Sequence, residues 1–581
     1  MTTKRPTSTG ATTQAAPDPS QDPRRWKALG VLATGLALIV IDGSIVAVSL
    51  PTIISDLSLD LTSAQWVTTS YAVVLSALLL IAGRLGDRYG RRRLFLGGVA
   101  LFVIASVLAA LSDGGTSLIS ARLLQGVGGA LILPSTLSTV NATFRGKERA
   151  AAFGVWGAVM AGAAALGPLL GGWLTSSLSW PWIFLVNIPI GAAVIVGTLL
   201  WVGETRERSG AGGGQDVLGA VLSAIALGSL VFGIIEATTL GWWSEKAPLS
   251  ILGVDIHGPA GLSFSPVALL IGAVALIGFI LWERHRVAGG REVLLDLGLF
   301  RLGAFAWGNT TAGAVAVGEF GLLFVLPLYL VNVRALGTME AGLVLAAMAA
   351  GAFLSGMLAR HLAAAIGAPG TVLLGLGMEV LGVGALAMVL RPDTAVLVIV
   401  GILVVYGLGL GLASAQLTST VLAPVPAEQS GQGSATQSTV RQLGTALGTA
   451  VSGALLGAGL AARTDTLTGP AVKYGQAMTD SAGSILPQLR GKQAPSSTLD
   501  QLGNVFTEGS QIAMAGAAGF LLLGLLGALM VARAARRSAR AEADATSDPD
   551  ATTGTDATTG TGATTGTGTD GATTPASSST R

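Results

Sequence analysis

Apolar runs separated by short polar breaks fill the chain from residue 28 to residue 533. A helix needs roughly 20 apolar residues to cross a bilayer. Fourteen segments meet that length, at about 28–50, 66–85, 94–112, 116–141, 149–174, 182–203, 216–238, 266–284, 304–332, 339–365, 370–390, 394–421, 433–461 and 510–533. Each is predicted to be helical, because hydrocarbon offers no partner for an open backbone amide or carbonyl. The pattern therefore predicts an all-α integral membrane protein with its spans grouped six, two and six. The implied divisions are 27–203, a six-helix bundle; 204–300, a linker with two further spans; and 301–540, a second six-helix bundle interrupted by a long loop at 462–509. Residues 1–26 are polar and Thr/Pro-rich, and 541–581 repeat Thr, Gly, Ala and Asp, so both ends are expected to be disordered. The first residues lack the basic, apolar and cleavage regions of a signal peptide.

Charge placement orients the spans. Fifteen Lys and Arg residues fall in the short breaks on one side, among them Arg84, Arg88, Arg91, Arg92, Arg93, Arg145, Lys147 and Arg149. The opposite short breaks hold Lys246, Arg334 and Arg391. The basic side is expected to be cytoplasmic, which puts both termini inside. The implied location is the plasma (inner) membrane. The two halves also echo one another faintly: Asp42 precedes Pro51 as Glu319 precedes Pro327, and repeated halves are common in transporters.

Composition narrows the chemistry. Of 581 residues 51% are hydrophobic and 11% charged, against about 25% charged in soluble domains. The formal net charge of +2 gives no electrostatic case for nucleic acid. There is no cysteine, and His257, His285 and His361 are far apart, so neither a thiolate nor a paired-histidine metal site is expected. Gly146-Lys147 and Gly491-Lys492 continue into Glu and Gln, so no nucleotide-binding P-loop occurs. Gly407, Gly409 and Gly411 lie inside an apolar helix with no strand before them. No catalytic constellation appears, and the chain is read as a non-enzyme. The 82 glycines suit close helix packing in a membrane.

Several runs together resemble the fourteen-helix drug:proton antiporter family of the major facilitator superfamily. They are IDGSIVAVSLP (41–51), QWVTTSYAVV (65–74), GRLGDRYGRRR (83–93), ARLLQGVGGALILP (121–134), GAVMAGAAALGPLLGGWL (157–174), WPWIFLVNIPIG (180–191), QDVLGAVL (215–222), GWWS (241–244), LPLYL (326–330) and VRQLGTALGTA (440–450). Two positions depart from the family: Pro181 stands where Arg is usual, and Arg360 stands where the second-half loop motif usually has an acid. The resemblance implies two six-helix bundles plus two inserted helices, alternating access, and proton-driven export of small amphipathic compounds without a cofactor. The expected partners are the bilayer, protons and a small molecule, and the expected state is a monomer. The alternative cargo is a lipid or cell-envelope precursor, or one dedicated metabolite.

Individual residues carry these expectations. Asp42 and Glu319 sit in apolar helices, where an acid costs about 2.5–3.5 kcal/mol unless it is hydrated, paired or protonated. Each is a candidate proton carrier, or a structural hydrogen-bonding group. Arg122 matches the fourth-helix arginine that the family links to proton coupling, with Gln125 beside it; a snorkelling arginine is the alternative. Arg441, Glu236 and Glu379 are weaker candidates: Glu236 is placed near a helix end within reach of headgroups, and Glu379 at the periphery. In the loop motif, Gly83 is read as a packing residue, Gly90 as a sharp turn, Asp87 as a conformational switch, and Arg88 and Arg91 as loop cations. Gly157, Gly162, Gly167, Pro168 and Gly171 are read as a tight, bendable seal between halves. Trp307, Phe320 and Tyr329 are pocket aromatics or lipid-facing residues.

Overall fold

A computed structural model describes residues 23–144, 146–204, 216–251, 254–258, 261–291, 293–425 and 430–546. The first half contains α1 (Arg25–Leu57), α2 (Leu61–Tyr89), α3 (Arg91–Ala110), α4 (Gly115–Thr143), α5 (Gly146–Ser177), α6 (Trp182–Leu185) and α7 (Asn187–Trp201). An intervening pair follows, α8 (Val217–Leu240) and α9 (Phe264–Ala288), joined through the short strands β1 (Leu249–Ile251) and β2 (Val254–Ile256). The second half contains α10 (Gly303–Asn332), α11 (Thr338–Ile366), α12 (Ala368–Val389), α13 (Val396–Leu422), α14 (Ser430–Arg463), α15 (Val472–Asp480), α16 (Ile485–Gly491) and α17 (Ser496–Thr546).

Among the described residues, twelve helices are long and apolar enough to cross a membrane, with α6 and α7 counted together. The sequence predicts fourteen. The remaining two, α2 and α5, have 29 and 32 residues. On α2, Gln65, Thr69, Ser70 and Ser76 are buried inside the protein, and both helices include side chains outside those described. The split between α6 and α7 also departs from the continuous segment expected at 182–203. Pro189 has no amide to donate to the Leu185 carbonyl, and the helix breaks at Val186.

Local signals set the helix ends. Asp60 accepts from the Ser63 amide at 2.7 Å to start α2, and Asp216 accepts from Gly219 at 2.9 Å to start α8. Gly90, with φ of 106°, makes the reversal between α2 and α3 that a side chain would strain. Glu204 lies against this turn, accepting from the Arg92 amide at 3.1 Å, while Arg92 donates to the Leu199 carbonyl at 2.8 Å.

Helices α1 to α7 pack mainly on one another, as do α10 to α14, and α8 pairs with α9. The halves meet along two seams, α5 with α11 and α2 with α14, while α8 lies against both α2 and α14. Contacts across the seams include several near the end where α1 finishes and α2 begins. Thr52 and Thr338 hydroxyls are 3.0 Å apart, Gln65 donates to the Ala450 carbonyl at 3.1 Å, and a Cβ on Gly172 would stand 3.3 Å from the Gly342 Cα.

The region 462–509, expected as a long loop, is largely ordered helix. Helix α17 begins at Ser496, well before the expected 510, and Leu467, Met478, Leu486, Leu502 and Phe506 are buried in the same apolar core as α10. Arg490 donates to the carbonyls of Asn332 and Val333 at 2.7 and 2.8 Å, closing the end of α10 where carbonyls lack helical partners. The hairpin β1/β2, which pairs Leu249 with Ile256, is likewise absent from the all-helical expectation.

The seam geometry predicts that Thr52→Cys with Thr338→Cys, in this cysteine-free chain, forms a disulfide under mild oxidation. A mobility shift on a denaturing gel that reducing agent reverses is the expected result. No crosslink under catalysed oxidation contradicts the contact.

Candidate functional site

Asp42, Arg122 and Gln125, which come from separate sequence motifs, meet in one buried cluster. Asp42 lies on α1 and is 0% exposed; Arg122, on α4, is 1% exposed. The Arg122 guanidinium forms an ion pair with the Asp42 carboxylate and also donates to Gln125 Oε1 at 2.9 Å and to the Val67 carbonyl of α2 at 3.1 Å. Its carbon centre sits 4.6 Å from the centroid of the Tyr71 ring, a cation–π position. Arg122 is therefore not a snorkelling residue. It is a cation enclosed by protein and balanced by one acid.

The second Asp42 oxygen is also held. Gln125 Nε2 and Asn187 Nδ2 each donate to Oδ1 at 3.0 Å, and both amides donate to the Ser106 hydroxyl at 2.9 and 3.1 Å. Sequence reasoning missed Ser106 and Asn187. Asn187 stands within the quoted run WPWIFLVNIPIG, and an amide in so apolar a stretch was the available signal. Nothing in the linear sequence pairs it with Asp42.

The second-half candidates are assembled more loosely. Glu319 on α10 lies 4.0 Å from the Arg441 guanidinium on α14, with side chains 8% and 42% exposed respectively. This is an open ion pair with its cation facing free space. Glu379, expected at the periphery, is instead 0% exposed on α12. Its burial follows from glycines that bring α12 and α13 together, with a Cβ on Gly375 standing 2.6 Å from the Gly409 carbonyl. Glu236 is not free to reach headgroups, because it accepts from the Trp66 indole of α2 at 2.8 Å.

The motif glycines divide. A Cβ on Gly171 would come 2.8 Å from the Ile45 carbonyl of α1, and one on Gly167 would overlap the Ser44 side chain. Pro168 lies between them, and its carbonyl faces Gly342 of α11. Gly162 has open space beside it and takes no part in this contact. Gly83 packs on Pro134 at ordinary distance. Arg91 is buried and donates to the Ser138 carbonyl at 3.3 Å. Gly157 and the side chains of Asp87 and Arg88 lie outside the described residues.

Of the aromatics, Tyr329 is buried and its hydroxyl donates to the Arg391 carbonyl at 2.5 Å, which makes it a structural clamp. Trp307 is half exposed on an apolar groove of about 490 Å³ formed by α10, α14 and α17. No group of three or more His, Cys, Asp or Glu able to hold a metal occurs among the described residues.

The model of the Major Facilitator Superfamily matches residues 32–449, more than half the chain. The chain belongs to the major facilitator superfamily. It is 33% identical over 451 residues to the probable actinorhodin transporter of Streptomyces coelicolor, covering 74% of this chain and 72% of that one. It is 34% identical over 425 residues to the multidrug resistance protein Stp of Mycobacterium tuberculosis, covering 72% and 74%. A solved structure of a bacterial homolog of the human lysosomal transporter Spinster, inward-facing and unoccupied, superposes with a TM-score of 0.60 at 17% identity, covering 88% of this chain and 98% of that one. That likeness confirms the fold. This member of the superfamily is a multi-pass membrane protein of a transporter family, with the Asp42–Arg122 pair and Glu379 among its fully enclosed charged residues.

Removing Arg122 strands Asp42 in a dry site. Arg122→Ala is expected to destabilise the protein by about 3–5 kcal/mol, read as a lower melting temperature in detergent. Adding Asp42→Asn is expected to recover part of that loss. A melting temperature unchanged in Arg122→Ala refutes the pair as a structural determinant.

Proposed function

We propose that this chain is a proton-coupled exporter of small amphipathic compounds, drugs or metabolites, working by alternating access. The observation that carries the reading is the buried Asp42–Arg122 pair on α1 and α4. An acid there exchanges its interaction with Arg122 for a proton, and a proton arriving down its gradient thereby changes what holds α1 to α4. Glu319, beside the open Arg441, is a second group able to take a proton or meet a cationic cargo. Relatives named as an actinorhodin transporter and a multidrug resistance protein support efflux of this kind.

The finer reading counts α2 and α5 as spans, which gives fourteen, and takes the chain as a member of the drug:proton antiporter branch with α8 and α9 as the inserted pair. Basic residues orient both termini toward the cytoplasm at the plasma membrane. Each charge moved across 100 mV is worth about 2.3 kcal/mol, so one proton per cycle supports useful accumulation without a cofactor. The α1–α5–α11 contacts at Gly167, Gly171 and Gly172 are the seal that keeps protons and cargo from leaking together.

In energised inverted vesicles, a subset of a panel of cationic, neutral and anionic compounds is expected to collapse the proton gradient, and only when the protein is present. Asp42→Asn and Glu319→Gln are expected to lose this response while inserting normally. Full proton-coupled efflux in both variants removes these residues from the mechanism.

A further inference from the structure

Helix α12 buries one continuous stripe: Thr371, Val372, Gly375, Leu376, Glu379, Gly382, Val383 and Leu386. The spacing is that of a packing face, and Glu379 occupies its centre, where an apolar side chain would serve packing better. The site is closed. A Cβ on Gly409 would stand 2.9 Å from the Glu379 amide nitrogen, and one on Gly382 would stand 2.8 Å from the Tyr406 Cβ, so the backbones of α12 and α13 touch on both sides of the acid. Neither Glu379 carboxyl oxygen has a hydrogen-bond partner among the described residues. Glu379 thus contributes no hydrogen bond to the fold, and no adjacent cation balances it as Arg122 balances Asp42.

The groups within electrostatic reach of it are Glu319 of α10, Arg441 of α14 and Tyr406 of α13. The charged and titratable residues of α11, namely Glu340, Arg360 and His361, are exposed. A dry, unpartnered carboxylate is costly, whereas the same group bearing a proton is not.

We infer that Glu379 is an internal proton-binding site, holding its proton within the closed α12–α13 interface. A part for this proton in coupling rests on the proton-driven reading above; the presence of the bound proton does not.

Infrared difference spectra between acid and alkaline buffer, recorded on the full chain in lipid nanodiscs, test the site without any transported compound. Wild type is expected to show the carbonyl band of a buried protonated carboxyl. Glu379→Gln, which keeps the shape of the side chain, should lose that band, and Glu379→Asp should keep it at a shifted position. Asp42→Asn should leave it in place, while Glu319→Gln should move the pH at which it disappears. Monodisperse gel filtration of each variant establishes that it is folded. A spectrum unchanged in Glu379→Gln overturns the proton site, and a titration indifferent to Glu319→Gln overturns the electrostatic link between the two acids. Failure of antiport is read separately: no compound-driven proton movement in wild-type vesicles overturns the coupling role together with the reading on which it rests, whatever the band does.

Discussion

A buried acid bound to a buried arginine is the constraint around which the first half is organised. Groups from five helices complete the bonding of Asp42 and Arg122: Gln125 on α4, Asn187 on α7, Ser106 on α3, the Val67 carbonyl and Tyr71 ring on α2, and Asp42 itself on α1. In so dry a site the two charges depend on one another, and neutralising one leaves the other uncompensated.

Helix α1 is also the element that reaches across the molecule. Two residues beyond Asp42, its Ser44–Ile45 surface lies against Gly167 and Gly171 of α5, and its far end meets α11 at Thr52. Helix α5 in turn touches α11 through Gly172 and Gly342. Backbones packed this closely, with no side chains to yield, transmit a small displacement rather than absorb it. A change at Asp42 is thus mechanically connected to the seam between halves.

Much of this was legible from hydropathy, because bilayer-length apolar runs leave helices as the only backbone solution. What hydropathy does not encode was missed. The ordered region around α15 and α16 has buried residues such as Met478 and Leu486 but no run of membrane length. Asn187 lies 145 positions from the acid it contacts, and only the folded bundle brings them together. Glu379 was misplaced for a related reason: its burial depends on how closely the glycines of α12 and α13 approach, a property of two helices rather than of either alone. The motif residues Asp42, Arg122 and Gln125, by contrast, stand out in the sequence and meet in the fold, since embedded charges and amides in apolar helices are costly enough to demand partners.

The central claim is that the protonation state of Asp42 sets the α5–α11 seam. The direct measurement is the distance between spin labels on Leu178→Cys, just beyond α5, and Leu343→Cys, on α11, in nanodiscs across pH. The account predicts that acid shifts the distribution toward longer distances, and that Asp42→Asn adopts the acid distribution at neutral pH. A distribution indifferent both to pH and to Asp42→Asn would contradict it.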